Sequence, residues 1–129
     1  MARHDFDPST VTADDRPATK ERLFDPGVET AWRGSLNGEG LNSETTVLAY
    51  GNDTPGEGPL LHVHPYDETF VVLMGNARFF VGDQVIEASA GEVVFGPKGL
   101  PHKFINLGPG RLQTIDIHHS PRWIQTDLE

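Results

Sequence analysis

The sequence predicts an all-β domain, a sandwich or a barrel of about eight short strands. Three observations carry that expectation. Short runs rich in Val, Ile, Phe and Thr recur roughly every 8–12 residues, the spacing of such folds. Turn residues separate the runs: the chain has 14 Gly and 10 Pro, and every glycine lies between Gly27 and Gly110. Only the last ten residues show a helical pattern.

The elements follow in chain order. The first 26 residues hold no glycine and carry Asp5, Asp7, Asp14, Asp15, Pro8 and Pro17. Residues 1–20 are therefore expected to be a mobile arm or an extended edge segment, with 21–129 a single domain. Strands are expected at Glu44–Tyr50, Leu60–His64, Glu68–Met74, Ala77–Val81, Gln84–Ala88, Glu92–Phe95, Pro101–Asn106 and Arg111–His118. Gly82-Asp83 is a two-residue hairpin signal, with Gly supplying a positive φ. Asn52-Asp53-Thr54 fits a glycosylation sequon and reads as an ordinary turn. At the end, Ser120-Pro121 reads as an N-cap with Pro at the first helical position. Trp123, Ile124 and Leu128 then share one helical face. One or two turns of helix are expected there, with Trp123 in the core.

Composition removes several functions. The 129 residues suit one domain. The absence of cysteine excludes thiol catalysis, Cys-ligated zinc and iron–sulfur clusters. A net charge of −9, with no Lys/Arg cluster, is wrong for nucleic acid or an anionic membrane. A local basic pocket for a small anion is still compatible with it. No apolar run approaches the ~20 residues of a membrane span, and the N-terminus has no apolar leader. A cytoplasmic protein is expected.

Chemistry centres on three of six histidines. Residues two apart in a strand share a face, so His62-Val63-His64 presents two imidazoles side by side. Pro65-Tyr66-Asp67 turns the chain and can bring Glu68 back beside them. His-x-His alone is a weak metal signal. His118 and His119 are adjacent, face opposite sides of a strand and read as surface or edge residues.

The surroundings are more specific. One segment runs Gly56-x5-His62-x-His64-x3-Glu68-x6-Gly75, and a second Gly91-x5-Pro97-x-Gly99-x2-His102-x3-Asn106. Together they resemble the two motifs of the cupin superfamily, as found in small single-domain members. The resemblance implies a small antiparallel β-barrel of jelly-roll (double-stranded β-helix) type. It also implies that His62, His64, Glu68 and His102 bind one divalent metal. Three imidazoles and a carboxylate suit Fe(II), Mn(II), Ni(II), Cu(II) or Zn(II) better than Mg²⁺ or Ca²⁺. Four protein ligands leave positions open on a six-coordinate ion, as catalysis requires.

Strand parity places Phe70, Val72 and Phe104 on the metal side as a pocket for a small, partly apolar, oxygen-bearing substrate. Phe95, Phe79 or Phe80, and one face of Leu112–Ile117 are candidates for the rest of the wall. The favoured function is a metal-dependent dioxygenase, an oxidoreductase with Glu68 able to accept a proton. The alternatives are a non-redox isomerase, epimerase, lyase or decarboxylase, and a non-catalytic binding barrel. Phe70 stands where dimethylsulfoniopropionate-lyase cupins have tyrosine, which argues against that lyase. The resemblance further implies a homodimer.

Overall fold

The computed structural model describes residues 2–28 and 32–129; Met1 and Thr30, the start of the strand-bearing region, lie outside them. The described residues form ten strands: β1 (Gly34–Leu36), β2 (Thr46–Asn52), β3 (His62–Val63), β4 (Glu68–Met74), β5 (Asn76–Val81), β6 (Gln84–Ser89), β7 (Val93–Gly96), β8 (His102–Asn106), β9 (Leu112–His118) and β10 (Thr126–Asp127). One four-residue helix, α1 (Gly38–Leu41), links β1 to β2. The strands make two antiparallel five-stranded sheets, ordered β1-β2-β9-β4-β7 and β10-β3-β8-β5-β6.

Alternation decides which side chains face inward. Glu68, Phe70 and Val72 of β4 are buried, as are Leu112, Thr114, Asp116 and His118 of β9. From the second sheet come Ala77, Phe79 and Val81 of β5, and His102, Phe104 and Asn106 of β8. The rings of Phe70, Phe79 and Phe104 join the sheets, with centroids 5.0–5.8 Å apart. Each such burial contributes about 1.5–3 kcal/mol. Asn106 is buried too. Its Nδ2 donates to Asn52 Oδ1 (3.1 Å) and to the Gly110 carbonyl (2.9 Å), and its Oδ1 accepts from Gly108 N–H (2.7 Å). Gly82 takes a φ of +56° in the β5–β6 turn, where Val81 pairs with Gln84.

Three expectations change. The sheets share a core but do not close into a barrel: β1 and β7 edge one sheet, β10 and β6 the other. The segments crossing between them, 53–61 and 64–67, carry Pro55, Pro59 and Pro65, which have no N–H to extend a ladder.

The C-terminal helix is absent. Residues 119–122 bend, and β10 pairs with β3 through Thr126↔Val63 and Asp127↔His62. Tertiary partners take the groups that a helix would use. Trp123 N–H donates to Asn37 Oδ1, Ile124 N–H to Tyr66 Oη, and Thr46 Oγ1 to the Ser120 carbonyl. Trp123 is 44% exposed rather than in the core.

Residues 2–22 are exposed along their length. They are tied to the domain by Arg16 to the Asn42 carbonyl (3.0 Å) and Thr19 Oγ1 to the Leu41 carbonyl (2.6 Å). The accessible surface is accordingly 8176 Å², above the roughly 6,800 Å² of a rounded monomer of this mass.

Candidate metal centre

The two sheets supply the site from opposite sides. His62 on β3 pairs directly with His102 on β8. His64 follows β3, where Pro65 begins the crossing. Glu68 opens β4 in the facing sheet and pairs with His118 on β9. One potential ligand atom from each of His62, His64, Glu68 and His102 lies within 4.8 Å of the others, and all four residues are buried. The imidazole centroids of His62 lie 4.8 Å from His64 and 4.5 Å from His102.

Hydrogen bonding fixes two of the tautomers. The Leu60 carbonyl lies 2.6 Å from His62 Nδ1, and the Ile124 carbonyl 2.7 Å from His64 Nδ1. A carbonyl only accepts, so both Nδ1 atoms carry the proton and both Nε2 atoms present lone pairs. His64 Nε2 then stands 3.0 Å from Glu68 Oε1, and His102 Nε2 stands 3.1 Å from the same oxygen. None of these three atoms, nor His102 Nδ1, has a hydrogen-bond partner among the described residues. The buried lone pairs of His64 Nε2 and Glu68 Oε1 face each other with no proton between them, an arrangement that a cation would stabilise. This donor set therefore fits one divalent transition metal, with the far nitrogens of His62 and His64 already held by backbone carbonyls.

Electrostatics agree. Burial holds His62 below the usual imidazole value, keeping it neutral at pH 7. Burial alone would push the Glu68 carboxyl up. Its contacts with His102, His118 and His64 outweigh that and hold it well below the usual range, so it is a carboxylate.

A cavity of about 820 Å³ opens beside the cluster. His62, Glu68, Phe70 and Phe104 line it, with Tyr50, Arg33 and Trp123 further round the wall. Val72, expected on this wall, lies in the core cluster beneath it. Of the further wall candidates, Phe95 is exposed on the opposite face of its strand, and Phe79 lies in the core cluster rather than on the wall. Gly58 also lines the cavity; a Cβ there would run into the Phe104 carbonyl oxygen.

Two buried polar residues of β9 stand beside the cluster: Asp116, on the Leu112–Ile117 face expected to complete the wall, and His118. Asp116 lines the cavity, and its Oδ1 has no hydrogen-bond partner. Burial and the charge of Glu68 push its carboxyl well above the usual range. His118, read from sequence as a surface or edge residue, is 2% exposed; His119 is the exposed member of that pair. The parity of β9 assigns the inside to His118, because Leu112 and Thr114 face inward. That phase is hidden in the sequence, since the inward row ends in Thr, Asp and His while Ile115 and Ile117 point outward.

The Cupin domain family matches residues 50–118, more than half of the chain. No curated protein matches the sequence. Among solved structures, the fold is similar to that of oxalate decarboxylase from Bacillus subtilis, described for its Mn(II) centres. The TM-score is 0.69, with 20% identity over 74% of this chain. This chain spans only 27% of that one. It is also similar to a conserved protein of Klebsiella pneumoniae subsp. pneumoniae with a double-stranded β-helix domain. There the TM-score is 0.63, with 22% identity over 75% of this chain and 83% of the other. At such identities the likeness is one of fold. The matched segment contains the whole buried cluster, and on that family match the chain belongs to the cupins.

Proposed function

We propose that this cupin is a metal-dependent enzyme that moves a proton on a small oxygen-bearing substrate: an isomerase, epimerase, lyase or decarboxylase. The observation that carries the reading is the buried carboxyl of Asp116, its Oδ1 without a hydrogen-bond partner among the described residues, on the same cavity wall as His62 and Glu68. Bound there, a divalent ion would supply Lewis-acid polarisation of a substrate carbonyl or carboxylate. His62, His64, Glu68 and His102 would hold it.

The chain's own groups divide the remaining work. Glu68 was the expected proton acceptor, but its Oε1 faces His64 and His102 and its Oε2 faces His118 (3.2 Å). Asp116, protonated in the folded chain, is better placed to give a proton to the substrate and take one back. Phe70 and Phe104 give the cavity a dry apolar side, which strengthens each polar contact made inside it. The fold likeness to a decarboxylase is compatible with this class.

The dioxygenase expectation is the second reading, favoured by the imidazole-rich donor set, which suits Fe(II). One comparison separates the two. Zn(II)-loaded protein is expected to convert members of a panel of hydroxy-, keto- and dicarboxylic acids without O₂, and Asp116→Asn to lower kcat by about 100-fold or more. Turnover that requires Fe(II), consumes O₂ and ignores Asp116→Asn would replace the first reading with the second.

A further inference from the structure

The second oxygen of Glu68 leads to a row of groups outside the four-residue cluster. Glu68 Oε2 lies 3.2 Å from His118 Nε2. On the far side of that ring, His118 Nδ1 lies 2.7 Å from Tyr66 Oη. Tyr66 Oη in turn accepts the Ile124 N–H at 3.0 Å.

The direction of each bond follows from donor counting. The Ile124 amide can only donate, so Tyr66 Oη spends one lone pair there. Its own proton has one acceptor among the described residues, His118 Nδ1. His118 then carries its proton on Nε2, aimed at Glu68 Oε2. The row runs Ile124 N–H to Tyr66 O–H to His118 N–H to carboxylate.

Ile124 has a second connection. Its carbonyl accepts His64 Nδ1–H at 2.7 Å. The Tyr66 ring also stacks on His64, with centroids 5.0 Å apart and planes 12° from parallel. One residue of the C-terminal strap, residues 120–129, thus orients two ligands: His64 directly through its carbonyl, and Glu68 through its N–H, Tyr66 and His118. The same strap runs past a third, because Asp127 pairs with His62.

Resting on the metal-centre reading, we propose that His118, Tyr66 and the Ile124 peptide are positioning groups of that centre. They hold Glu68 so that Oε1 alone meets the ion, and they couple ion binding to docking of the strap. Coupling is reciprocal: whatever loosens the strap weakens the ion by the same factor, and the ion tightens the strap. Because Trp123 and Gln125 of the strap line the cavity, its docking also completes the substrate wall.

The test uses the full chain and Zn(II), with affinity from chelator competition and amide hydrogen exchange read over residues 122–128. Tyr66→Phe removes only the hydroxyl; His118→Ala removes the donor; His118→Gln restores an amide donor. Tyr66→Phe and His118→Ala are expected to weaken Zn(II) about 10- to 100-fold, with His118→Gln recovering part of the loss. Zn(II) is expected to slow strap exchange in the wild type and to do so less in Tyr66→Phe. Unchanged affinity in both Tyr66→Phe and His118→Ala would overturn the proposal. So would a Co(II) spectrum showing one nitrogen ligand fewer in His118→Ala, which would make His118 a ligand itself. A wild type that takes up no Zn(II) would instead overturn the metal reading beneath it.

Discussion

Asp116 shows what one buried carboxyl does to the energetics of the chain. It is 4% exposed, with Oδ1 unpartnered. Its folded-state pKa is raised, first by burial and then by the charge of Glu68. In the unfolded chain it ionises near pH 4. As pH rises above that value the unfolded state releases the proton while the folded state retains it, so folding loses stability. Asp116→Asn removes this liability at nearly constant shape. In metal-free protein the melting temperature of Asp116→Asn is expected to exceed that of the wild type at pH 7, and the difference to shrink towards pH 4. A pH-independent difference would contradict the assignment. Neighbouring residues also show what was legible beforehand. His62, His64, Glu68 and His102 stood out because period-two parity and motif spacing single them out. Asp116 and His118 did not, because their inward direction depends on the phase of β9. Tyr66 read only as a turn residue, since its role arises from contacts with His118 and Ile124, 52 and 58 residues away in sequence.

Among the elements, β4 and β9 were the most legible, with long runs of β-branched and aromatic residues ended by turn signals. β4 was expected at Glu68–Met74 and occupies those residues. β1 and β10 span three and two residues, too short to show a period. The C-terminal strap carried a sound local helix signal at Ser120-Pro121. It lost to long-range hydrogen bonds that its amides donate to Asn37 and Tyr66 and that its Ile124 carbonyl accepts from His64, which propensity cannot anticipate. Where the sheets meet, Phe79 on β5 touches both Phe70 on β4 and Phe104 on β8. It is fully buried. Phe79→Ala is expected to cost about 3–5 kcal/mol in urea unfolding. A cost under about 1 kcal/mol would mean that the two sheets do not depend on this contact.

At the scale of the molecule, the fold joins positions that are far apart in sequence. His62 pairs with His102, and Glu68 with His118. Each pair bridges neighbouring strands of one sheet, and the shared core brings the two sheets together around the cluster. The all-β class was readable from the rhythm of strands and turns. The division into two unclosed sheets was not, because it depends on how the proline-bearing crossings 53–61 and 64–67 leave their strands. The whole arrangement surrounds the Nε2 lone pairs of His62 and His64, the His102 ring and the Glu68 carboxylate. The most direct test is elemental analysis of the full chain purified without added metal or chelator and then titrated with Zn(II), beside His102→Ala. About one equivalent of a divalent transition metal is expected in the wild type, with a large loss in His102→Ala. No metal in the purified wild type and none taken up on titration would contradict the metal centre.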